Sequence, residues 1–148
     1  MVTNYPSKAD DLASRVEFLT TNIPDLKVII TGESNGTVIA DRVMNVLEDN
    51  SQVYSIQTGP PFWYDNTMLN RTLVLSDNGI IPDSFSQGDF LTIISANLKT
   101  FFGLFRPEDN SGEILSFVKA PGHDYQWQYP RVCSQITNFL EQNFGIKW

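Results

Sequence analysis

The chain has 148 residues, 41% of them hydrophobic, which supports one domain with a real core and is too short for two. Its net charge of −7, with the basic residues scattered, excludes the positive face that nucleic acid requires, and no apolar run approaches the about 18 residues of a membrane span. Cys133 is the only cysteine, so neither an internal disulfide nor a cysteine zinc site can form, which favours a reducing, cytoplasmic setting.

The opening Met1-Val2-Thr3-Asn4-Tyr5-Pro6 lacks the basic and apolar regions of a signal peptide. From Ser7 to about Asn22, Leu12, Val16 and Leu19 recur at helical spacing, Ser7 and Asp10 resemble a capping box, and Pro24 follows as a stop. Leu26 to Thr31 is a short, β-branched apolar run, as in a buried parallel strand. Val38, Ile39, Val43, Val46 and Leu47 then mark a second helix. Strands are expected at Val53–Gln57, Arg71–Ser76 and Glu113–Lys119, and helices at Gln87–Phe101 and Arg131–Asn143, the last stopped by Gly145. Strands alternating with helices predict an α/β fold around a parallel sheet of about four strands with flanking helices, forming one domain over 1–148. In such sheets reactive groups collect beyond the carboxyl ends of the strands, here near Gly32, Thr58, Asp77 and Ala120.

The first of these turns reads Gly32-Glu33-Ser34-Asn35-Gly36. A serine flanked by glycines between a strand and a helix can be lifted above the sheet by a turn too tight for side chains. The same residue serves equally well as an ordinary helix cap. The only histidine, His123, stands in the late loop Ala120-Pro121-Gly122-His123-Asp124-Tyr125-Gln126-Trp127, after the last expected strand and before the last helix. Imidazole can accept a serine proton and return it to a leaving group when a carboxylate holds its tautomer.

Together these segments resemble the C-terminal half of the α/β-hydrolase family, whose nucleophile elbow has the G-x-S-x-G pattern and whose histidine occupies this late loop. The resemblance implies a serine hydrolase acting on a small-molecule ester or similar acyl bond, with Ser34 as nucleophile and His123 as base. It implies an acid between them in the chain. Asp77, at the end of the Arg71–Ser76 strand, is the expected acid and Asp83 the fallback, because Asn78 holds the place four residues before Pro82 that the family acid usually takes. The backbone N–H of Asn35 would be one oxyanion donor, and Phe62 and Trp63 in the Gly59-Pro60-Pro61-Phe62-Trp63-Tyr64 loop would wall an acyl pocket, or else pack that loop onto the domain. No metal or organic cofactor is implied. Only the C-terminal half of the family fold is matched. The chain is therefore expected to be a fragment or a reduced variant, its inner edge strand covered by a homodimer or a missing N-terminal segment. Two other readings compete: a non-catalytic hydrolase-like interaction domain, and a flavodoxin-like module whose Thr31–Thr37 loop binds phosphate with Trp63 or Tyr64 on a flavin.

Overall fold

The computed structural model describes residues 4–65, 67, 69–104, 111–115 and 118–145. The chain forms two compact units, Met1–Pro60 with Tyr64–Val74, and Pro61–Trp63 with Leu75–Trp148. It is an α/β fold, with helices α1 (Tyr5–Asn22), α2 (Asn35–Val46), α3 (Phe90–Phe101) and α4 (Pro130–Phe144). Strands β1 (Val28–Glu33), β2 (Val53–Thr58) and β3 (Thr72–Leu75) form a parallel sheet in the order β1-β2-β3.

In the first unit, Ala9, Ala13, Val16 and Thr20 are the buried residues of α1, a stripe at helical spacing. Ala9, Ala13 and Val16 pack with Ile30, Ala40, Val43, Met44, Leu47 and Val53 in one core cluster. The stripe is made of smaller side chains than the sequence pattern indicates, since Leu19 is exposed and Leu12 only half-buried. Nor does Ser7 cap α1. The helix already begins at Tyr5 with Pro6 in its first turn, where proline's missing N–H costs nothing. It ends at Ile23, whose extended backbone (φ −120°, ψ 104°) is the conformation Pro24 imposes on its predecessor. As the middle strand, β2 is covered on both faces and buries even Ser55 and Gln57. Its pairing carries β1 past the expected end: Gly32 lies opposite Gln57 and Glu33 opposite Thr58.

The second unit departs from expectation at residues 113–119. This is not one strand but part of a hairpin, β4 (Ser111–Leu115) antiparallel to β5 (Val118–Pro121). α3 begins at Phe90 rather than Gln87, because Asp89 caps it by accepting hydrogen bonds from the Thr92 N–H and hydroxyl. α4 stops where expected, with Gly145 left-handed at φ 67°. Among the described residues no helix is long and apolar enough to cross a membrane.

Candidate functional site

β1 ends at Glu33 and α2 begins at Asn35, so the whole turn between them is Ser34. Its backbone has φ 52° and ψ −123°, a combination that non-glycine residues avoid and that costs on the order of 1–3 kcal/mol. A serine retained as a cap has extended backbone and bonds its hydroxyl to an amide of the first turn. Ser34 does neither. Its Oγ is buried, makes no capping bond and has no hydrogen-bond partner.

The main chain of Ser34, by contrast, is clamped. Its N–H donates to the Thr58 carbonyl at 2.9 Å, and its carbonyl accepts from the Thr37 N–H at 3.0 Å and the Thr37 hydroxyl at 2.7 Å. Strain persists only where neighbours over-determine the backbone, and these bonds do so. Asn35 is the first residue of α2, so its N–H lies among those with no acceptor inside the helix, at the helix's positive end.

The two glycines differ in their necessity. A Cβ on Gly32 would lie 2.6 Å from the Gly36 carbonyl oxygen, whereas one on Gly36 would meet nothing within 4 Å. The expectation that the turn excludes side chains on both sides of the serine therefore holds only for Gly32. Gly36→Ala should stabilise the chain by about 0.5–1 kcal/mol, because it adds helix propensity in open space. Gly32→Ala should destabilise it by at least about 2 kcal/mol, since backbone must move. Chemical denaturation of the two variants checks both values.

In the second unit, His123 follows β5 and is 4% exposed. Its Nδ1 lies 2.8 Å from Asp83 Oδ2. The carboxylate on His123 is therefore the fallback, Asp83, and not Asp77. Asp77 instead pairs with Arg131 at 2.9 Å and accepts from the Gly79 N–H at 2.8 Å. The reason is the path of the chain. An antiparallel bridge between Asp77 and Pro82 closes a small loop, and Asp83 is the first residue delivered beyond it.

Asp83 is fully buried and accepts five hydrogen bonds. They come from His123 Nδ1, the Tyr125 hydroxyl (2.7 Å), the Ser86 hydroxyl (2.8 Å), and the Phe85 and Ser86 amides (2.9 and 3.1 Å). Burial alone raises its pKa, but the donors, led by His123 and Tyr125, outweigh it and hold the carboxyl below its ordinary value. Burial, then the bond to Asp83, pushes the Tyr125 phenol far above its usual range, so Tyr125 remains a donor. Because an ionised carboxylate only accepts, the Asp83 bond places the proton on Nδ1 and leaves the lone pair on Nε2. Nε2 is buried and has no hydrogen-bond partner.

The lowered pKa makes Asp83 a source of stability above the unfolded carboxylate pKa, lost as pH falls through the lower folded value. Tyr125→Phe removes one donor and raises the folded pKa. The acid-unfolding midpoint should then move to higher pH. An acid titration followed by circular dichroism reads the shift, and a midpoint that stays put or falls contradicts it.

Sequence reasoning missed the residue that joins these loops. Asn78 is fully buried, donates to the Gly122 and Asp124 carbonyls (3.4 and 3.0 Å), and accepts from the Ile80 and Ile81 amides (2.9 and 3.1 Å). It thus brackets His123 from both sides along the chain. Its only signal in the sequence is the Asn78-Gly79 turn pair. The Ser84 N–H and hydroxyl add a second brace to the Pro121 carbonyl, at 3.0 and 2.9 Å. Gly122 sits at φ 82°, and a Cβ there would collide with the Pro82 carbonyl, so glycine is required where the two loops meet.

Phe62 and Trp63 belong to this unit and form an aromatic wall. The Phe85 ring lies edge-on to His123 at 5.0 Å, Trp63 to Phe85 at 5.3 Å, and Phe62 to Trp63 at 5.1 Å. Both Phe62 and Trp63 pack edge-on within this unit yet remain about half exposed. Tyr64 belongs to the first unit and bonds to the buried Asp41 at 2.9 Å, with burial first and Asp41 second raising its phenol to about 12. Among the described residues no group of three or more His, Cys, Asp or Glu gathers as metal ligands would. Comparison with known proteins returns no match: no family model, curated protein or solved structure aligns with the chain.

Proposed function

We propose that the chain is a serine hydrolase of the α/β-hydrolase type, cleaving an ester or similar acyl bond through an acyl-enzyme. The observation that carries this reading is Ser34: a strained backbone, clamped on both sides, with a buried hydroxyl that caps nothing and has no hydrogen-bond partner. Structural serines do not require such strain, whereas residues held in sparsely populated conformations cluster at active sites.

The reading requires Ser34 Oγ to attack the carbonyl carbon and His123 Nε2 to take its proton. Asp83 holds the Nδ1–H and stabilises the imidazolium that forms. The helix-end amide of Asn35 faces the charge developing on the carbonyl oxygen. Collapse expels the alcohol, which takes the proton from Nε2. Water then attacks the acyl-serine with His123 as base, which releases the acid and restores Ser34. Phe62 and Trp63 offer an apolar wall to the acyl group. This chemistry requires neither metal nor organic cofactor.

A fluorophosphonate probe followed by peptide mass mapping tests the reading. The adduct is expected on the peptide containing Ser34, and absent from Ser34→Ala. Labelling that is missing in the wild type, or unchanged in the variant, removes the hydrolase reading and leaves a non-catalytic domain.

A further inference from the structure

Outside the candidate site, α3 turns its apolar residues outward. Leu91 is 81% exposed and Phe101 83%, Ile94 and Leu98 are each more than half exposed, and the only buried residue of the helix is Ala96. Leu91, Ile94, Leu98 and Phe101 recur every three or four residues, so they form one stripe along the helix. A stripe of this kind marks an interaction surface rather than scattered surface apolarity.

The stripe has a direction. It starts at Phe90, whose ring packs edge-on against Phe62 at 4.9 Å, and from there the rings of Phe62, Trp63 and Phe85 lead to His123. It also has a charge character. Lys99 is the only charged residue of α3, in a chain of net charge −7, so an anionic surface would repel the protein and attraction to α3 must be apolar.

We propose that α3 docks the protein on an electrically neutral lipid surface, lying in the plane of the interface, and that the substrate is a water-insoluble long-chain ester held there. The exposed stripe stands on α3 alone, while the choice of lipid over a second copy and the substrate clause both rest on the serine-hydrolase reading. A helix with an apolar stripe and a phenylalanine at each end suits the interface between headgroups and acyl chains. Lipid is favoured over a second copy by continuity with the aromatic wall. A protein seated across α3 and Phe90 would cover Phe62 and Trp63, whereas a lipid surface delivers acyl chains to them.

Flotation of the full chain with phosphatidylcholine vesicles tests the docking, using the wild type and Leu91→Ser/Phe101→Ser. Both side chains are exposed, so the variant should keep the wild-type melting temperature. The wild type is expected to float, with little change between low and high salt. The variant should bind at least about 100-fold more weakly, since each lost burial weakens binding by about tenfold or more. Failure of the wild type to float, flotation of the variant as well, or binding only to phosphatidylglycerol vesicles with abolition by salt, each overturns the proposal. A dimer that dissociates in the variant with no vesicle binding also overturns it, and assigns the face to a second copy. For the substrate clause, turnover of an emulsified long-chain ester should fall with flotation in the variant, while turnover of dissolved p-nitrophenyl acetate stays the same. Equal loss on both esters overturns that clause. Fluorophosphonate labelling separates the two readings: flotation without labelling removes the hydrolase, and labelling without flotation removes the docking.

Discussion

Ser34→Gly is expected to be more stable than the wild type and, on the proposed hydrolase reading, to lack ester turnover. At φ 52° and ψ −123° glycine carries none of the steric cost that serine does. Relief of on the order of 1–3 kcal/mol of strain exceeds the about 0.4–1 kcal/mol of extra unfolded-state entropy that glycine brings. The net gain, about 1 kcal/mol, should raise the melting temperature by a few degrees, about 3 °C for a chain of this size. Turnover of p-nitrophenyl butyrate should fall by a factor on the order of 10⁴–10⁶, as for loss of other serine nucleophiles. Ser34→Ala keeps the Cβ and hence the strain, so it should be equally inactive without the gain. Equal melting temperatures for the alanine and glycine variants would show that no strain is stored. Retained turnover in either would show that Ser34 is not the nucleophile.

Asp83→Asn should be the most damaging single change in the second unit. Five donors converge on the Asp83 carboxylate, and an amide oxygen cannot serve them while its NH₂ faces N–H and O–H groups. The loss of stability should be about 3 kcal/mol or more, as for a buried charge pair that loses one partner. On the proposed hydrolase reading the rate should fall about 10³–10⁴-fold, because His123 would lose the group that fixes its tautomer and stabilises its charge. Asp77→Asn provides the contrast. Its ion pair with Arg131 is partly exposed, and such pairs contribute at most about 1 kcal/mol. Turnover should stay within about twofold of wild type. A large rate loss in Asp77→Asn with little in Asp83→Asn would reverse the assignment of the acid.

The features legible in the sequence are those that neighbouring residues decide. The β-branched run before Gly32 and the helical spacing after it identify a strand and a helix, and so an α/β chain with Ser34 in the connecting turn. Element ends were less legible, because they depend on partners. β1 runs on to Glu33 through pairing with β2, and the hydrogen bonds of Asp89, not periodicity, set the start of α3. The segment 113–119 reads as one strand because Ile114, Leu115, Phe117 and Val118 cluster within it, yet Glu113–Leu115 belongs to β4 and Val118–Lys119 to the antiparallel β5.

The acid could not be read in this way. Asp77 and Asp83 are both aspartates close to a strand end, and only the Asp77–Pro82 bridge and the Asn78 cross-brace select which one meets a histidine 40 residues later. The same division applies to Ser34. The sequence by itself determined that a hydroxyl stands between a strand and a helix, since that follows from local pattern and from Gly32. That it does not cap α2 follows only from tertiary contacts. The Thr58 carbonyl comes from the neighbouring strand, and with Thr37 it locks a backbone that serine would not choose, turning the side chain away from the amides it would otherwise cap.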